Sequence, residues 1–248
     1  MSTILATGPH LLLAGPRLLA GGTRLLAAGS SINIDLGNSL SKPSESVVVV
    51  LALTLLAVAP ALLMMMTGFT RIVVVLGLAR QALGLQTTPP NQVLAGLALF
   101  LSLFLMAPTL GHLNTVALQP YLHGKMSMTQ AYHAAEDPLK TWMLKQTGSD
   151  ELALTTGASG EHPATPMGAS LAAIIPAFVL SQLKSAFIIG FVIFVPFLII
   201  DLVVAASLMS MGIVMLPPTL VSLPFKLLLF VMVNGWVLIT HSLVVSFH

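Results

Sequence analysis

Apolar runs close to the length of a bilayer crossing are separated along this chain by short breaks and by one long polar stretch. The first is VVVVLALTLLAVAPALLMMM, Val47 to Met66, interrupted only by Pro60. The segment TGFTRIVVVLGLARQALGLQTTPPNQ follows, apolar but carrying Arg71 and Arg80, and it closes on a turn signal at Pro89-Pro90-Asn91. A second run, VLAGLALFLSLFLMAPTL, covers Val93 to Leu110. After a polar region from His112 to about Met167 come AFIIGFVIFVPFLII, Asp201, LVVAASLMSMGIVM and finally LLLFVMVNGWVLITHSLVVSF. A helix needs ~20 apolar residues to cross a ~30 Å hydrocarbon core, and the short alternation of an outer-membrane barrel is not seen. The pattern predicts an all-α integral membrane protein of about four long apolar helices in two kinked hairpins, residues 46–111 and 169–248, around a small helical polar insert, residues 112–168.

Within the insert, MTQAYHAAEDPLKTWMLKQT predicts a short helical hairpin with Tyr132, Leu139, Trp142 and Met143 on one side, and TTGASGEHPATPMGAS reads as a flexible linker. Residues 1–45 are of another kind: short leucine runs mixed with Gly, Ser, Pro, Arg17 and Arg24 make a poor membrane span. Basic residues interrupt the apolar part instead of preceding it, so a degenerate signal peptide and a weakly structured leader are both open.

Composition sharpens this picture. Of 248 residues, 56% are hydrophobic and 7% charged, against about 25% charged in an ordinary soluble domain. The net charge of +2 comes from scattered basic residues, with no patch for nucleic acid. The absence of cysteine excludes disulfides, thiolate metal sites and cysteine nucleophiles. The insert is net acidic, with Glu136, Asp137, Asp150, Glu151 and Glu161 against Lys125, Lys140 and Lys145. The bias of basic residues toward the cytoplasm places Arg71 and Arg80 inside and the insert outside.

Candidate chemistry is sparse. His10, His112, His123, His133, His162, His241 and His248 do not pair with one another. His133, Glu136 and Asp137 share a helical face at i, i+3 and i+4, a spacing that serves a solvated surface more often than a metal. Phosphate loops, GxSxG and HExxH motifs are missing, so no catalytic, cofactor-binding or metal residue is assigned and an enzyme is not expected. Asp201 stands out, because a carboxylate in an apolar run is costly and faces a bundle interior, a cavity or a partner charge. A structural pair with Lys184, Lys226 or an arginine of another chain is favoured over a proton relay, which would call for further buried carboxylates. Methionine is used heavily in MMMT and LMSMGIVML, where its flexible side chain either fills gaps or closes around changing contents.

The strings FTRIVVVLGLARQALGLQTTPPNQ and IDLVVAASLMSMGIVMLPPTLVSLPFKLLLF, within a match from about Leu53 to Phe247, resemble the FliP/SctR export-gate family of type III secretion, on its flagellar side. The leader also resembles flagellar members, which carry a signal peptide. The resemblance implies a bacterial inner-membrane protein of the flagellar basal body, present in several copies, which with FliQ and FliR builds a closed helical cone through which unfolded flagellar proteins pass. Further export subunits, FlhA and FlhB, are implied as partners, no cofactor is implied, and energy is expected from other components. It also implies a methionine gasket in the loop before the proline pair. Here that constriction comprises Met209, Met211, Ile213, Val214 and Met215, with Ile213 and Val214 where relatives often carry methionine. Pro217 and Pro218 would mark a kink, since proline frees helix carbonyls that survive at membrane depth only under protein or beside a water-filled cavity. Arg71, Arg80, Lys184, Asp201 and Lys226 are the expected buried charges that hold the assembly. A self-contained small-solute or proton-coupled transporter is the alternative. It would show paired repeats around a polar midplane site, and elution in one large mixed assembly separates the two.

Overall fold

The structure is a computed structural model that describes residues 43–213 and 215–247. Two compact units divide at residue 50, and in the first of them the described residues are only the opening turns of helix α1, Pro43–Met65. The expected leader, residues 1–45, therefore lies outside the described residues except for its last three. The second unit, residues 51–248, holds the remainder, and among its described residues every regular element is helical.

Helix α2, Phe69–Ala82, occupies the centre. Its buried positions are Arg71, Ile72, Val75, Leu76, Ala79 and Ala82. From Ile72 these recur at i, i+3, i+4 and i+7, so one broad stripe meets its neighbours. Those neighbours are α3, Asn91–Leu113, and α7, Leu171–Ser210. The main core joins Ile72, Val75, Leu76 and Ala79 of α2 to Leu94, Ala98 and Leu101 of α3, and to Ala186 and Phe197 of α7. At Gly190 the α7 backbone comes so close to α2 that an added Cβ would lie 2.2 Å from Leu78 Cδ1.

Beyond α3 the chain passes through a π-helical turn, Asn114–Leu118, and the single turn α4, Gln119–Leu122. Helix α5, Met128–Lys145, begins on a capping box in which Ser127 and Gln130 satisfy each other's backbone N–H groups. Helix α6, Ser149–Ser159, follows, and Gly160 ends it at φ 71°, a conformation that suits glycine. The insert is thus helical as expected, but the stretch expected as a short helical hairpin is the single helix α5, running on through Pro138, and two further differences follow. The first part of TTGASGEHPATPMGAS is the end of α6, which packs on α7, so the linker is confined to residues 160–170. Tyr132 is exposed, whereas Met143 is fully buried and Trp142 stacks at 5.2 Å on Phe178. The buried face of α5 runs through Ala131, Lys140 and Met143.

Helix α7 is a single element of 40 residues despite Pro176 and Pro196. The Ser170 hydroxyl caps its first turn by accepting from Ala173 N–H, and Ser170 in turn donates to Glu161 through its backbone N–H (3.0 Å) and its hydroxyl (2.6 Å). Those bonds hold the Glu161 carboxyl below its ordinary range. Helix α8, Pro218–Met232, and helix α9, Gly235–Val245, are bent from each other by 63°, with Asn234 in the left-handed region at φ 51°. Two helical stretches among the described residues have the length and composition to cross a membrane, 91–122 and 171–210, and α8 with α9 makes a third if the bent pair is one span. Against the four expected spans, the described residues thus hold two or three.

Candidate functional site

The chain reverses between α7 and α8. Met211 caps the end of α7, and Gly212 follows at φ 73°. Gly212 N–H donates to Met209 O and Ile213 N–H to Leu208 O, each at 3.0 Å. This pair of crossed bonds is the Schellman arrangement, whose left-handed residue is best supplied by glycine. The second half of the reversal is set by proline. Pro217 is the N-cap of α8 and Pro218 opens the helix, where a missing N–H costs nothing because the first turn leaves it unpaired anyway. The expected kink at Pro217 and Pro218 is therefore a complete break: α7 stops and a new helix starts.

The turn displays its apolar side chains. Met209 is 70% exposed, Met211 71% and Met215 97%, with Ile213 at 36%. Val214 lies outside the described residues. Beside the turn, Asp201 of α7 accepts from Lys226 Nζ at 2.6 Å and from Ser222 Oγ at 2.5 Å, both on α8. Ser222 and Lys226 are one helical turn apart and are both buried, so the two carboxylate oxygens are each engaged by the same face of α8. This latch ties the arms of the reversal together. Of the partners weighed for Asp201, the one present is Lys226 of the same chain. Lys184 instead bridges to Glu151 of α6 at 2.8 Å from an exposed position. Ser222 was missed by sequence reasoning, although a small polar residue four positions before a lysine, inside an apolar run, was a legible signal.

The two arginines have separate surroundings. Arg71 is 3% exposed and sits among neutral acceptors: Ser246 O (2.7 Å), Ser246 Oγ (3.1 Å) and Gln146 Oε1 (3.3 Å). Its guanidinium also lies 4.1 Å from the centre of the Phe247 ring, a cation–π contact. Burial pushes its pKa down to about 10. Arg80 donates to Pro89 O at 3.0 Å and Asn91 Oδ1 at 2.7 Å, fastening the turn between α2 and α3. Gln146, also unflagged by sequence, links the first cluster further by donating to Phe247 O at 2.7 Å. His133 and Glu136 stand 3.6 Å apart, and Glu136 is bound by Lys140 at 2.7 Å. Among the described residues no group of three or more His, Asp or Glu residues is placed to hold a metal.

The sequence that builds this turn has relatives among known proteins. The family model described as the FliP family matches residues 52–243. The chain is 51% identical over 217 residues to the flagellar biosynthetic protein FliP of Bacillus subtilis (strain 168), covering 87% of this chain and 98% of that protein. It is similar to the proteins of the same description from Caulobacter vibrioides, at 48% over 219 residues (88% and 82%), and Pectobacterium carotovorum subsp. carotovorum, at 49% over 214 residues (86% and 81%).

Proposed function

Because the chain belongs to the FliP family, whose members are flagellar biosynthetic proteins, we propose that it is a core subunit of the flagellar type III export apparatus. In this reading several copies assemble with FliQ and FliR into the inner-membrane export gate, with FlhA and FlhB as neighbours. Unfolded flagellar proteins pass through the centre, and the α7–α8 turns of successive copies meet there as a seal. The observation that carries the reading is the exposure of Met209, Met211 and Met215 on a turn whose arms are latched by buried charge. A side chain that packs against nothing in its own chain adds little to folding, and its flexible thioether can close around irregular contents and yield again. The narrow apolar ring would exclude ions by dewetting. Asp201 fits a structural role, since Lys226 and Ser222 occupy both its oxygens.

Replacing Ile213, Val214 and Met215 together by alanine tests the seal. The expected result is a raised passive ion leak in cells, with the complex assembled in normal yield. If these residues were ordinary core instead, truncation would cost several kcal/mol, about 2–5 per large side chain, and yield would fall before any leak. An assembled, ion-tight triple-alanine complex sinks the gasket assignment.

A further inference from the structure

Between α2, α7, the α5–α6 junction and the end of α9 lies a cavity of about 440 Å³. Its polar wall includes Arg71, Lys145, Thr147, Ser185 and Ser246, and its apolar wall is Ile188 with Ile189 of α7. Among the described residues two cations line it and no acid does. Arg71 is buried, meets only neutral oxygens, and keeps a buried Nε–H without any partner. Lys145 forms no ion pair among the described residues. The carboxylate of Glu151, beside Gly148, is already taken by Lys184. A buried guanidinium with no counter-charge among the described residues and an unused donor is costly unless an anion reaches it.

The surface that leads away from the cavity is apolar. On α7, Phe187, Ile188, Phe191 and Val192 are each about 60% exposed or more, within a helix long and apolar enough to lie in a bilayer. A ligand that suits this place carries an anionic head for Arg71 and Lys145, an oxygen that accepts from the Ser185 hydroxyl, since those of Thr147 and Ser246 already donate to Met143 O and Leu243 O, and a hydrocarbon tail for α7. We propose that this cavity is a phosphate-binding site for the headgroup of an anionic membrane phospholipid. The proposal does not depend on the export-gate reading.

The test uses the complex purified from membranes, stripped of lipid, and reconstituted into nanodiscs of phosphatidylcholine with or without phosphatidylglycerol. Native mass spectrometry counts phosphatidylglycerol retained on release. Lys145 is exposed, so Lys145→Gln should leave folding intact, and Lys125→Gln serves as the remote control. The expected result is retention in the unaltered protein and in Lys125→Gln, with affinity about tenfold weaker in Lys145→Gln, the loss of one charge-assisted contact. Equal retention in all three overturns the proposal. Inorganic phosphate is the second probe, read by its effect on thermal unfolding. Protection by phosphate that Lys145→Gln abolishes, without retention of phosphatidylglycerol, assigns the site to a free anion and overturns the lipid assignment. A loss of assembly in Lys145→Gln with unchanged lipid retention assigns the cavity to a carboxylate from another copy, which also overturns it.

Discussion

Asp201 holds its charge inside an apolar helix because two donors on the facing helix replace the water it has lost, and neither it nor Lys226 is stable there alone. Removing one partner strands the other. Asp201→Asn is therefore expected to destabilise the chain by ~3–5 kcal/mol through an unpaired, buried Lys226, and Lys226→Met in the same chain should recover much of that loss. Complex yield and thermal unfolding of the two single variants and the double variant measure the coupling. If Asp201→Asn and Asp201→Ala both assemble normally yet stop export, the carboxylate acts in proton transfer and the latch is not its main role. At this scale the sequence singled out Asp201 from cost alone, since a lone carboxylate in an apolar run must find a partner. It could not choose among Lys184, Lys226 and a foreign arginine, because that choice depends on where the α7–α8 reversal falls. It also passed over Gln146, whose neutral side chain carries no such cost and so leaves no signal.

At the scale of helices, the crossing of α2 and α7 is set by what Gly190 lacks. A methyl group there would stand 2.2 Å from Leu78 Cδ1 and 3.2 Å from Leu78 Cβ. The first could rotate away, but the second is fixed to the backbone of a packed helix. Gly190→Ala is expected to lower stability by ~1–3 kcal/mol from overpacking, less the ~1 kcal/mol gained in helix propensity. Adding Leu78→Ala should relieve the clash, and chemical denaturation of the single and double variants decides. Unfolding curves for Gly190→Ala that match the parent would show that α2 and α7 can slide apart at no cost. The apolar runs made α3 and α7 legible, whereas the proline pair was read as a kink and is the start of α8. The helical extent of α6 was not legible, because its Thr, Gly and Ser residues have low helix propensity and are held by packing on α7. Nor was the persistence of α7 through two prolines, whose local cost is offset by the length of helix on either side. The bend between α8 and α9 at Asn234 lay hidden in an unbroken apolar string, since a left-handed asparagine leaves no mark in hydropathy.

At the scale of the molecule, the least hidden feature is how little of the apolar surface the chain itself covers. Only 22% of the apolar window of residues 91–122 and 11% of that in α7 is buried. Lipid can cover a helix for ~30 Å, whereas 40 residues of α-helix run about 60 Å. Protein must cover what lipid does not, so the purified material is expected as a mixed assembly with several copies of this chain. Native mass decides, and a single copy stable in detergent removes the seal formed by several turns. The latch also limits how such a seal can open. Only seven residues separate Ser210 from Pro218, and a chain of that length, pulled straight, spans about 24 Å. With α7 and α8 latched to each other through Asp201 and Lys226, the apex can move away from the helix ends by roughly half of that, about 12 Å. The turn is a short tether: if the proposed seal forms, such travel would let an extended polypeptide slip past and would stop a folded domain, so the slack in one loop would set the width of what passes.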